Sequence, residues 1–156
     1  MRIHLLALGT RMPKWVDQGF DDYAKRLPRE CKLQLVEVHT PNQLRQKSAT
    51  ERLRAEADLI RARLPKRAHI VALDERGRAW KSTELAQQLG RWLELGSDIA
   101  MLVGSADGLD DQLKDEAQQL WSLSPLTLPH GMARVLVAEQ LYRAWSILNN
   151  HPYHRE

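Results

Sequence analysis

Short apolar runs that each give way to a stretch with helical spacing recur along the whole chain, and this alternation restricts the fold more than any other feature. Residues 2–8 read as a strand ending at Gly9, and residues 13–27 space Trp15, Val16, Phe20, Tyr23 and Leu27 as an amphipathic helix. Residues 32–39 alternate into a second strand, and Pro41 breaks the pattern. Ser48 with Glu51 then forms a capping box for a helix reaching about residue 64. The run AHIVAL, residues 68–73, is a third strand that delivers Asp74, Glu75, Arg76 and Gly77 to its carboxyl end. A helix over 82–95 stops at Gly96, and the strand DIAMLV over 98–103 runs straight into Gly104, Ser105, Ala106, Asp107 and Gly108. Asp110 or Asp111 caps a further helix expected to continue to about residue 121. Repeated strand-then-helix order implies an α/β fold, a mostly parallel sheet with helices on both faces.

The last third begins with a strand-like apolar run and then meets Pro129, a residue suited to the first turn of a helix. From about 131 to 149 the apolar positions, among them Met132, Val135, Val137, Leu141, Tyr142, Trp145 and Leu148, cover more than half the circumference. One buried face does not need so many, so this helix is expected to pack on its own sheet and on a second copy, making a homodimer. After Asn149 and Asn150 comes the tail His151, Pro152, Tyr153, His154, Arg155, Glu156. It is rich in hydrogen-bonding groups and poor in core-forming ones, and is therefore expected to serve chemistry rather than folding.

At 156 residues the chain is one domain, 1–156, able to bury about 70% of its unfolded surface. The single cysteine, Cys31, has no partner, and the N-terminus lacks the order of a signal peptide, so a cytoplasmic location is expected. No apolar run reaches the length of a membrane span, which leaves no expected membrane partner. A net charge of +3 is compatible with nucleic-acid binding but too small to require it, so any RNA contact must come from local clusters.

Three strand or loop ends can converge on a ligand: around Leu73 and Asp74, from Gly104 to Gly108, and from Leu123 to Leu128. Glycines allow close backbone approach, while the leucines supply an apolar slot for a flat ring. Alone, a Gly-x-x-x-Gly turn after a strand is most often just a turn, and Asp74 is more readily a loop or capping carboxylate. The run matches neither a dinucleotide fingerprint nor a Walker loop, which disfavours nicotinamide and ATP. His130 at a helix start and Arg134 one turn on have equally ordinary readings as a cap and a solvated helix residue.

The segments SLSPLTLPH, RVLVAEQLYRAWSI and NHPYHRE, together with LLALGTRMPKWV, VALDERG and LVGSADGL, resemble the SPOUT-class methyltransferases. Within that class they are similar to the small enzymes that methylate N3 of a pseudouridine in 23S ribosomal RNA. The resemblance spans essentially the whole chain. It departs at Ser105, where a second glycine is expected, and at Gly131, where a larger residue is common.

The resemblance implies a C-terminal trefoil knot, a homodimer, and S-adenosyl-L-methionine as cofactor, with no metal. Cofactor contacts are then expected from Leu73, Gly104, Gly108, Leu123, Ser124, Pro125, Leu126, Thr127 and Leu128, mostly through backbone atoms. The reaction implied is attack of a ring nitrogen on the sulfonium methyl, in which alignment dominates and a base, or a cation beside the developing imide charge, assists. His130, Arg134, Tyr153, His154 and Arg155 are the groups available for that work, with the tail of one subunit completing the site of the other.

The expected substrate is a hairpin loop of 23S rRNA in the large subunit or 70S ribosome, since unstacked bases are what such groups can grip. Phosphate contacts are expected from Arg52, Arg54, Arg61, Arg63, Lys66 and Arg67, whose alternative is a plain solvated helix face. Two other functions fit the residues: a noncatalytic ribosome-associated protein that retains the fold, and a nucleotide-binding enzyme acting on small molecules. Methyl transfer to ribosomes separates the first of these, and activity without RNA the second.

Overall fold

A computed structural model describes residues 1–155. Five strands form one sheet in the order β2-β1-β4-β3-β5, and every pairing is parallel. In chain order these are β1 (Arg2–Leu8), α1 (Lys14–Ala24), β2 (Lys32–Val38), α2 (Ala49–Arg61), β3 (His69–Arg78), α3 (Ser82–Leu95), β4 (Ile99–Val103), α4 (Asp111–Glu116), β5 (Gln119–Trp121) and α5 (His130–Leu148). A 3-10 turn, Pro152–Arg155, follows α5.

The period-two alternation of the central strands sorts their side chains onto two faces, and the helices follow. Ile3, Leu5 and Ala7 of β1 with Ile99, Met101 and Val103 of β4 meet Phe20 of α1, Leu85, Leu89 and Trp92 of α3, and Val137, Ala138 and Leu141 of α5. On the opposite face Leu6, Leu8, Ala100 and Leu102 meet Ala57 and Ile60 of α2 and Leu113 of α4. The expectation of helices on both faces of a parallel sheet is met. Cys31 is buried in the first cluster, and burial pushes its thiol up to about 12, which keeps it an inert packing group.

Three elements depart from the sequence pattern. The helix expected to reach residue 121 ends at Glu116, and Gln119–Trp121 instead forms the edge strand β5 beside Val71, Ala72 and Leu73. Here tertiary pairing overrides local periodicity: the backbone N–H of Gln118 donates to the Ile70 carbonyl at 3.0 Å. The apolar run that follows is accordingly a loop and not a strand. Third, β3 does not stop at Leu73 but continues through an irregularity to Arg78, whose carbonyl accepts from Ser122 N–H at 2.9 Å. Gly77 makes that extension possible, because a Cβ there would lie 2.5 Å from the backbone carbon of Leu120.

The tail also departs from expectation. It turns back onto its own chain, where the Tyr153 ring lies 4.7 Å from that of Tyr142 and 6.4 Å from that of Tyr23. Its hydroxyl donates to Glu139 Oε1 at 2.8 Å, and the Arg143 guanidinium sits 5.0 Å over its ring. Tyr153 is thus a packing residue as well as a candidate for chemistry, its hydroxyl tied to α5. Glu156 lies outside the described residues.

Candidate active site

The carboxyl ends of β3 and β4 and the loop after β5 enclose a cleft of about 840 Å³, within the usual range of small-ligand sites. All three expected segments reach it. Leu73 contributes from β3, Gly104 and Gly108 from the loop after β4, and Leu123, Ser124, Leu126, Thr127 and Leu128 from the loop leading into α5. Pro125 is exposed and does not line it.

The loop after β4 is held close to the sheet by contacts that leave no room for a side chain at its first residue. A Cβ on Gly104 would stand 2.2 Å from the Gly108 carbonyl oxygen, and Gly108 itself takes φ +86 to close the turn. Gly108 N–H donates to the Ser105 carbonyl at 2.8 Å. Ser105 is not among the residues with positive φ, so the second glycine of the resembling pattern is not needed here. Its hydroxyl instead donates to Glu56 Oε1 at 3.0 Å, and Asp107 pairs with Arg52. Two residues of α2 therefore pin both shoulders of the loop. Burial raises the Glu56 carboxyl above its ordinary value, partly offset by the Ser105 bond and by Arg52.

The second wall is organised by serines. Ser124 Oγ accepts from Leu126 N–H at 2.9 Å and the Ser122 hydroxyl donates to the Ser124 carbonyl at 3.3 Å, turning the loop so that Leu126 stands 70% exposed. Asp74 lines the cleft with Lys114 Nζ 3.8 Å away, a pairing that neither residue's sequence context announced. His130 lies on the cleft as the first residue of α5. The departure at Gly131 also has a cause: a Cβ there would meet a methyl of Val16 at 2.7 Å, so α1 and the start of α5 approach closely.

The remaining candidates are not brought to the cleft within one chain. Arg134 is 0% exposed, donating to Glu37 Oε2 at 2.8 Å and to the Gly9 carbonyl at 3.0 Å. Within one chain it is a buried tie between α5 and the ends of β1 and β2. Tyr153, His154 and Arg155 sit beyond the far end of α5, and 19 helical residues at about 1.5 Å each separate that end from His130 by about 28 Å. His154 Nδ1 lies 3.2 Å from the Ser146 hydroxyl, while Arg155 is exposed.

Sequence reasoning missed Glu56, which carried no signal beyond being one acid among the arginines of α2. Of the six basic residues expected to contact phosphate, Arg52 and Arg61 are paired within the chain. Arg52 is engaged with Asp107, and Arg61 holds Glu116 at 2.9 and 3.1 Å and Asp58 at 2.9 Å.

A parallel sheet whose carboxyl ends carry a backbone-lined glycine turn and an apolar loop is the arrangement in which open α/β folds place a ligand site. Residues 1–154 match the family model described as Predicted SPOUT methyltransferase. The chain belongs to the SPOUT methyltransferase family. It is 54% identical over 155 residues to the protein named Ribosomal RNA large subunit methyltransferase H of Burkholderia thailandensis, covering 99% of each chain. A relative of the same name from Burkholderia mallei is 52% identical over the same share of both chains. In fold it is similar to the crystal structure of a probable methyltransferase from Bordetella pertussis Tohama I, with TM-score 0.57 and 18% identity over 91% of this chain and 93% of that one.

Proposed function

We propose that the chain transfers a methyl group from S-adenosyl-L-methionine to N3 of a pseudouridine in a hairpin loop of 23S rRNA within the large subunit or 70S ribosome, acting as a cytoplasmic homodimer. The observation that carries the reading is the cleft itself: three segments of the family's pattern surround one volume, and Gly104 is pressed so close to Gly108 that only backbone faces the ligand there. Leu73, Leu123 and Leu128 provide apolar walls for an adenine, and the loop backbones the polar contacts. The cofactor supplies an electrophilic methyl.

What the chain must supply is alignment of the acceptor nitrogen and help with its proton. His130 stands at the cleft for either role, and a cation held beside the flanking carbonyl oxygens would stabilise the charge that develops there. The reading places Tyr153, His154 and Arg155 of one copy at the cleft of the other, because the length of α5 keeps them from their own. Exposed apolar residues support a second copy on the face made by α1 and α5: Trp15 is 53% and Met132 44% exposed. The C-terminal trefoil knot belongs to the same reading and rests on family membership.

Large ribosomal subunits from cells lacking this enzyme, incubated with the protein and labelled cofactor, should gain one methyl that mass spectrometry places on N3 of a pseudouridine. Transfer to free nucleosides but not to subunits would refute the substrate. Mixing a His130→Ala copy with a copy truncated after Asn150 should restore one intact site per dimer. Failure to complement would refute the shared site.

A further inference from the structure

Beside the cleft, a second groove of about 480 Å³ lies between the extension of β3, α3 and β5. Arg76 and Arg78 border it from β3 and Arg91 from α3, with Trp80 and Gln88 between them. All three arginines are exposed, and none has an acidic partner within 4.0 Å among the described residues. That separates them from Arg52 and Arg61, which are already engaged. Asp74 and Glu75, the acids nearest in sequence to Arg76 and Arg78, line the cleft and not the groove, and Glu94, three residues past Arg91, lines neither.

The groove and the cleft share a wall. Arg76 borders both, and Trp80 of the groove stacks at 5.6 Å on Trp121, which lines the cleft. Gly77, held against β5 by the absence of a side chain, fixes the backbone from which Arg76 and Arg78 project. Three unpaired guanidiniums around a concavity with an aromatic floor form an anion track suited to a polyanion with π faces, since each guanidinium fits a phosphate bidentately.

We propose that the groove formed by Arg76, Arg78, Arg91 and Trp80 grips the phosphate backbone of the RNA strand flanking the target nucleotide and feeds that strand past Arg76 into the cleft. The proposal rests on the rRNA reading above for its substrate, but the groove's affinity for RNA can be measured apart from methyl transfer. Arg78 and Arg91 touch only the groove, so they separate substrate capture from cofactor binding.

The test uses the full-length protein carrying Arg78→Gln and Arg91→Gln together, with Arg29→Gln and Lys32→Gln as a control of equal charge. The control residues are exposed at the amino end of β2, opposite the cleft in a parallel sheet. Binding to unmethylated large subunits is measured across salt concentrations, and methyl transfer by KM and kcat. The groove variant should raise KM for subunits about tenfold, leave kcat at saturation and S-adenosylmethionine affinity unchanged, and lower the salt slope of binding by about 1.4. Equal effects in the control, or an unchanged slope in the groove variant, overturn the proposal. If the wild-type protein transfers no methyl, the substrate reading fails, while the difference in binding slopes still decides the groove.

Discussion

Replacing Gly104 by alanine tests the proposed cofactor contact of the loop after β4, because the new methyl would stand 2.2 Å from the Gly108 carbonyl oxygen and 2.5 Å from its carbon. Ordinary contacts begin near 3.4 Å, so the loop must move by about 1 Å, and the atoms in the way are backbone. Overpacking of this kind costs about 1–3 kcal/mol, and opening the Gly108 N–H to Ser105 bond adds about 1 kcal/mol. A displacement of about 1 Å also misaligns backbone groups that face the ligand; forfeiting one or two of their hydrogen bonds corresponds to about 5- to 100-fold weaker binding. Calorimetry of S-adenosylmethionine binding, run beside thermal unfolding, should show both losses. Ser105→Gly, which removes only the bond to Glu56, should lose far less affinity. A folded Gly104→Ala protein that binds the cofactor as tightly as wild type would refute the backbone-contact argument.

Arg134→Ala should cost about 2–4 kcal/mol in urea unfolding, less than a fully buried pair because the Glu37 side chain is 35% exposed; Arg134→Met should cost less than Arg134→Ala because it keeps the volume. A stable Arg134→Ala protein without turnover would return that residue to the reacting groups. Glu56 is raised by burial, so its contribution is fully present below the ordinary glutamate range and is lost as pH rises through its folded value. Glu56→Gln should therefore match or exceed wild-type stability at pH 7 and lose that advantage in acid, as a melting series from pH 3 to pH 8 would show. Tyr153 is raised by burial and by its bond to Glu139, so its contribution is held below about pH 10 and lost as pH rises through the folded value. Tyr153→Phe should remove that alkaline dependence, and truncation after Asn150 should lower the melting temperature measurably. An unchanged melting temperature on truncation would restore the view of the tail as dispensable for folding.

The layer arrangement was legible in the sequence because period-two and helical spacing each report burial locally: Ile3, Leu5 and Ala7 against Leu6 and Leu8 already assign two faces. The cleft was legible for a related reason. Its walls are strand ends, and strand ends are marked by glycine, proline and serine. β5 was not legible, since three residues carry no period and their conformation comes from pairing with Val71 to Leu73. Nor was the role of Glu56 or Arg134, because a charged residue's burial depends on partners 49 and 97 positions away. The same distance effect hid the pairing of Arg52 and Arg61 with Asp107 and Glu116, which reach them only in the folded chain.

β1 precedes the other four strands along the chain, yet it lies inside the sheet, hydrogen-bonded to β2 on one edge and to β4 on the other. A nascent chain can pair Arg2–Leu8 with β2 early, but the second edge stays open until Ile99–Val103 has left the ribosome. The apolar face beneath Ile3, Leu5 and Ala7 waits longer still, for Val137, Ala138 and Leu141 of α5. Such late closure leaves shortened chains with a bare strand edge that recruits other chains. Premature stop codons anywhere before α5 should therefore yield insoluble fragments rather than partly active ones.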